Sequence, residues 1–132
     1  MAKRKLSEGR GLYGCGTIWR LNPRTAERLG VPKIRRPWII LQDENFAISS
    51  MEHVVCYLTD CLDKEGKRKP NREGFIELLR DTDNKLDKDS FICCDHLYTI
   101  QEDDLASWVG FVDPADPIFQ EIRKKLRSLF NL

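Results

Sequence analysis

The sequence predicts an α+β domain, mainly β, in which a small antiparallel sheet or barrel is followed by a C-terminal helix. Three observations carry that prediction. Short β-branched and aromatic runs recur through residues 17–100, turn-forming residues separate them, and the clearest helical spacing follows residue 117. A chain of 132 residues suits one domain around one core. Residues 1–14 have little to bury and read as a basic N-terminal arm, which leaves 15–132 as the domain.

The first element is Thr17-Ile18-Trp19-Arg20-Leu21, which alternates as a strand does. Asn22-Pro23 ends it, because proline has no N–H for a ladder. Residues 24–35 form a basic connection containing Gly30 and Pro32. Pro37-Trp38-Ile39-Ile40-Leu41 is continuously apolar, as a strand buried on both faces should be, and proline is tolerated at its first position. The stretch around His53–Thr59 fits both periods: Met51, Val54, Val55, Leu58 and Leu62 have helical spacing, while the run itself is short and rich in strand formers. Residues 63–71 are almost wholly charged or turn-forming and read as an exposed loop. Phe75–Leu79 is another strand, and Ser90–Cys94 with His96–Ile100 reads as two short strands or one bent one. The closing helix places Ile118, Ile122, Leu126 and Leu129 on one face. Asp113-Pro114 and Asp116-Pro117 both offer a capping Asp followed by a first-turn proline.

The composition, 41% apolar and 33% charged, is that of a globular chain rather than a disordered one. No apolar run approaches the roughly 20 residues that span a bilayer, and no signal core follows the basic start. The five cysteines, Cys15, Cys56, Cys61, Cys93 and Cys94, are an odd number, which argues for reduced thiols and a cytoplasmic location. The net charge of +1 conceals an asymmetry: residues 1–40 carry +8 and the remainder −7. A basic front end suits an anionic polymer, although a solvated basic tail would look the same.

The common enzyme signatures are missing: there is no GxGxxG, no phosphate-binding loop ending in Gly-Lys-Ser/Thr, no HExxH and no GxSxG. The cysteine spacing argues against zinc. Cys93 and Cys94 are adjacent in an expected strand, so their side chains should point to opposite faces, as small buried hydrophobes would. No metal and no cofactor is therefore expected.

A more specific signal lies in three ordered segments: Gly16–Pro23, then Arg35-Arg36-Pro37-Trp38-Ile39-Ile40-Leu41-Gln42-Asp43, then Val54–Thr59. Together they resemble the MazF/PemK family of toxin ribonucleases. That family has an opening strand ending near proline, a loop leading to Arg-Pro and an apolar strand, and a third strand ending in threonine. Lys85–Ile100 is similar to the family's Gly-Leu-x-x-Asp-Ser strand and the Gln-x-Arg-Thr-Ile/Val segment after it. The resemblance covers about residues 14–132. It implies an SH3-like antiparallel β-barrel of the CcdB/MazF type, and it favours the strand over the helix for residues 53–59. It also implies a homodimer that cuts single-stranded mRNA without a metal, at selected sequences, and an antitoxin whose flexible acidic segment covers the basic groove.

The resemblance puts the catalytic arginine and threonine on Arg36 and Thr59. Chemistry agrees with those types. When the ribose 2′-OH attacks the adjacent phosphorus, charge grows on the non-bridging oxygens; a guanidinium can meet it with two parallel hydrogen bonds, and a hydroxyl can orient the phosphate or the nucleophile. Arg24, Arg28, Lys33 and Arg35 are candidate phosphate contacts, and Trp19 and Trp38 could stack bases, although strand tryptophans also fill cores. His96 stands where the family commonly carries Gln; it is either an acid–base group or a hydrogen-bonding strand residue. Glu27 is a candidate for the family's loop Glu, from a loop longer than usual. The alternative function on the same barrel is non-enzymatic: a gyrase-poisoning toxin, or an inactive nucleic-acid binder.

Overall fold

The computed structural model describes residues 13–31, 36–42 and 52–132. The strands are β1 (Thr17–Leu21), β2 (Pro37–Ile40), β3 (Glu52–Asp60), β4 (Phe75–Leu78), β5 (Ser90–Gln101) and β6 (Leu105–Phe111). The helices are α1 (Pro23–Arg28) and α2 (Pro117–Phe130). The strands pair antiparallel throughout in the order β4-β5-β3-β2-β1-β6.

The ladder leaves β4 and β6 as outer strands, so hydrogen bonds do not close it into the barrel the sequence led one to expect. A turn occupies the seam instead. The Phe111 N–H donates to the Asp83 carbonyl, 3.1 Å away, and Asn84 is fully buried beside Gly110. The Asn84 amide donates to the Leu79 carbonyl and its oxygen accepts the N–H groups of Asp81 and Leu86. Both polar atoms of this buried side chain are thereby hydrogen-bonded, as low-dielectric surroundings favour.

Alternation along the strands divides the interior in two. Ile18, Ile39, Cys56, Leu58, Ile92 and Cys94 face the helix side, where Phe119 and Ile122 of α2 pack. Trp19, Trp38, Ile40, Val55 and Ile100 face the other side with Tyr57 and Tyr98. The continuous apolar run of β2 follows from this double burial. Of the two candidate caps, Asp116 accepts the Ile118 N–H and starts α2, while Asp113 accepts the Ala115 N–H in the preceding turn. Phe119 takes a buried position on the helix, whereas Leu129, expected on the apolar face, is 44% exposed.

Asn22 and Pro23 do end β1, but they also open α1 inside the connection expected to be irregular; the Asn22 side chain accepts the Arg24 N–H. Strand β6 has no counterpart among the strands expected from sequence. The two short runs at 90–100 are one strand with an irregularity: Cys56 pairs with Leu97 but Leu58 with Ile92. The three extra residues on β5 reverse its alternation, so Phe91 and Cys93, and then His96 and Tyr98, lie on the Tyr57 side. Among the described residues, no helix is long and apolar enough to cross a membrane.

Candidate functional site

Arg36 is fixed by its neighbour. Pro37 begins β2 opposite Arg20, so the chain is committed to the ladder directly after Arg36. The Arg36 guanidinium carbon lies 4.3 Å from the centre of the Tyr57 ring. That is cation–π distance, and the ring restricts a side chain that would otherwise sample many rotamers. Tyr57 is held in turn by Trp38, edge-on at 5.4 Å between ring centres.

Thr59 follows Tyr57 by two residues on β3 and so shares its face. Its hydroxyl oxygen accepts from the ammonium of Lys69, 3.4 Å away. Lys69 lies in the loop between β3 and β4, and its backbone N–H donates to the Cys61 carbonyl at 2.8 Å, which places the side chain over the end of β3.

On the other flank, His96 lies 5.0 Å from Tyr57 between ring centres, and its Nδ1 is 2.7 Å from Asp95 Oδ1. Asp95 also faces Arg72, 3.9 Å away. The arginine and the imidazole are therefore grouped around one aromatic side chain, with Thr59 two residues further along the same face of β3.

Below the cluster is a buried thiol. Burial pushes Cys93 up to about 12, against the opposing pull of Arg36. A thiol held that high stays protonated near neutrality and serves as apolar floor rather than nucleophile. Burial is also the main reason why the Tyr57 phenol is raised, with Arg36 again opposing it. Cys93 and Cys94 pack in different clusters on opposite faces, as their adjacency in a strand led one to expect, and all five cysteines are free thiols.

Among the residues singled out in the sequence, Arg36 and His96 contact the same Tyr57 ring, and Thr59 lies on the same face of β3. The structure does not bring the others to them. Trp19 is 5% exposed, donates from its indole to Thr17 Oγ1 and stacks on Tyr13 at 5.1 Å, so this ring is a core element and presents no open face to a base. Trp38 is likewise core, at 1% exposure. Arg28 pairs with Asp104 at 3.4 Å, and Thr25 donates to the same carboxylate at 2.7 Å, which pins α1 to the turn before β6. Arg24 and Glu27 are exposed on α1; among the described residues neither makes a hydrogen bond, ion pair or ring contact with Arg36, Thr59 or His96. Lys33 and Arg35 lie outside the described residues.

Sequence reading missed the loop between β3 and β4. Arg68, Lys69 and Arg72 look like solvated charge in sequence, yet Lys69 reaches Thr59 while Arg68 and Arg72 lie on the rings of Phe91 and Phe75. No spacing or residue type in the loop marks these cations as facing the sheet.

The family described as PemK-like, MazF-like toxin of type II toxin-antitoxin system matches residues 15–130. No curated protein sequence matches significantly. Among solved structures, a mycobacterial endoribonuclease in complex with its cognate antitoxin aligns with TM-score 0.65 and 17% identity, over 90% of this chain and 95% of that one. The Mycobacterium tuberculosis toxin MazF-mt6 aligns at 0.62 with 18% identity, over 88% and 97%. A MazE–MazF structure from Deinococcus radiodurans aligns at 0.61 with 16% identity, over 90% and 96%. At these identities the structural likeness concerns the fold.

Proposed function

Because this chain belongs to the PemK-like, MazF-like toxin family of type II toxin–antitoxin systems, we propose that it is an endoribonuclease that cuts single-stranded RNA at the cluster around Tyr57. The observation that carries the proposal is the grouping itself: the Arg36 guanidinium over the Tyr57 ring, His96 against the same ring, and the Thr59–Lys69 contact beside it. Named structural relatives being endoribonucleases adds support of a different kind.

The chemistry follows from what each group can give. The 2′-oxygen of one ribose loses its proton and bonds to the adjacent phosphorus. The bond from phosphorus to the 5′-oxygen breaks, leaving a 2′,3′-cyclic phosphate and a 5′-hydroxyl. Arg36 donates to the non-bridging oxygens, where charge accumulates in the transition state. Thr59 takes a hydrogen bond from Lys69, which leaves its own O–H to orient the phosphate or the nucleophile. His96 contacts Asp95 through Nδ1, which leaves Nε2 free to take the 2′-OH proton and return it to the departing 5′-oxygen. Arg36 and Lys69 supply the positive charge at the phosphate, so the proposed reaction needs no divalent ion. Phosphate contacts read no sequence, so selectivity is assigned to the loops that flank the cluster.

An antitoxin with a flexible acidic segment suits this cationic face, and antitoxin complexes among the structural relatives support such a partner. A homodimer is proposed with it, on the family resemblance. The direct test incubates purified protein with long single-stranded RNA of mixed sequence in EDTA and maps the ends. Cleavage at recurrent sequences, leaving cyclic phosphates and abolished by Arg36→Ala, is expected. Intact RNA, or undiminished cutting by that variant, overturns the assignment; intact RNA together with inhibited gyrase supercoiling would replace it with the non-enzymatic alternative.

A further inference from the structure

The loop between β3 and β4 is built, not merely exposed. Leu62 bridges to Arg68, Asp63 Oδ1 accepts the N–H groups of Glu65 and Lys67 at 2.9 Å each, and Gly66 turns the chain at φ +81°. A left-handed φ at the tip is a position that favours glycine. The result is a hairpin whose cations descend on the sheet at fixed places.

Two of those cations share an aromatic floor with the proposed cutting site. The Arg68 guanidinium lies 5.7 Å from the Phe91 ring centre and that of Arg72 lies 4.9 Å from Phe75. Phe75 and Phe91 are 5.6 Å apart, and Tyr57, which carries Arg36, packs against the same cluster. Among the described residues each guanidinium has a single ion-pair partner, Glu77 for Arg68 and Asp95 for Arg72, and the side chains remain 52% and 63% exposed. Five N–H donors with one flanking carboxylate leave capacity for another anion. A stacked, half-exposed guanidinium is oriented in advance for a phosphate that runs across the floor.

We propose that Arg68 and Arg72 form a phosphate track for the RNA backbone of nucleotides flanking the cut, leading from Tyr57 towards the β4 edge. This rests on the proposed RNA-cutting role of the Arg36 cluster. The track binds rather than reacts: it sets how firmly the strand is held and how binding responds to salt.

The test uses the full chain and a mixed-sequence RNA 2′-O-methylated throughout, which cannot be cut because its nucleophile is blocked. Binding is followed by fluorescence anisotropy over a range of salt. Arg68→Gln and Arg72→Gln are each expected to weaken binding about 3–10-fold and to lower the slope of log affinity against log salt by roughly 0.7, the value for one phosphate contact on a single strand. Arg68→Lys and Arg72→Lys keep the charge and should keep the slope. Lys124→Gln, on exposed α2, should change neither. On cleavable RNA the Gln variants should raise KM and leave kcat within about twofold, as loss of uniform binding does. An unchanged slope in both Gln variants, with wild-type cleavage intact, overturns the track and leaves the cutting site standing. Failure of the wild type to bind or cut RNA overturns the site on which the track depends.

Discussion

The ammonium of Lys69 lies 3.4 Å from the hydroxyl oxygen of Thr59, joining a loop to a strand across ten residues of sequence. The contact orients the hydroxyl. Lys69→Met should keep the aliphatic stem and remove the donor. A fall in kcat of roughly 10–100-fold on single-stranded RNA is expected, somewhat below the loss of a direct transition-state donor. Single-turnover rates at saturating protein check this, and an unchanged rate would remove Lys69 from the site.

Arg36 should tolerate no replacement. Arg36→Ala is expected to lower kcat by about 10²–10³-fold. Arg36→Lys should recover little of that, because a point charge cannot present two parallel donors. Tyr57→Phe keeps the ring beneath the guanidinium and should keep most activity, while Tyr57→Leu removes a contact of about 0.5–1 kcal/mol and should cost a few-fold. Equal effects of Phe and Leu would show that the ring face is not what holds Arg36.

His53 gives a pH prediction for stability. It is fully buried, neither ring nitrogen has a hydrogen-bond partner among the described residues, and the Glu102 carboxylate is 3.6 Å away. Burial holds its imidazole below the ordinary value, with Glu102 opposing in part. The unfolded chain therefore takes a proton near pH 6.5 that the folded chain refuses. The His53 contribution to stability is present above that pH and is lost as pH falls towards the lower folded value. Urea midpoints between pH 5 and 8 should show this slope. His53→Phe should reduce the slope and cost little at pH 8, because no hydrogen bond is lost; an equal slope in the variant would assign the pH dependence elsewhere.

Gly110 is required by a close approach. A Cβ there would stand 2.2 Å from the Asn84 carbonyl oxygen, which is backbone and cannot swing aside. Gly110→Ala should destabilise the fold by about 1–3 kcal/mol. Asn84→Ala should do similar harm by leaving the N–H groups of Asp81 and Leu86 without their acceptor. Urea unfolding of both variants measures the effect, and wild-type midpoints would show that the turn is not structural.

The sequence was informative where one physical signal dominated. The double burial of β2 is written in an unbroken apolar run, and the cap of α2 in Asp116-Pro117. Strand β6 was hidden because it is an edge strand of mixed exposure, with register shifts against β1 on both sides of Trp19-Arg20. In the proposed site, Arg36 and Thr59 were legible only as what the resemblance over ordered segments implies. Lys69, Arg68 and Arg72 were not, because a charged loop looks the same whether its cations face water or a sheet. Trp19 misled for the converse reason: residue type marks a ring that can stack, while burial decides whether it has a free face.

The seam between β4 and β6 is latched by a turn, with Asp83 and Asn84 against Phe111 and Gly110. A latch yields before a ladder does. Breathing of the sheet should therefore begin at its outer strands, β4 and β6, each of which has a strand partner on one side only among the described residues. Arg36 directly before β2, Tyr57 on β3 and His96 on β5 stand inside the sheet, away from its outer strands. The molecule can thus give way at its rim while the ground under the proposed site stays still.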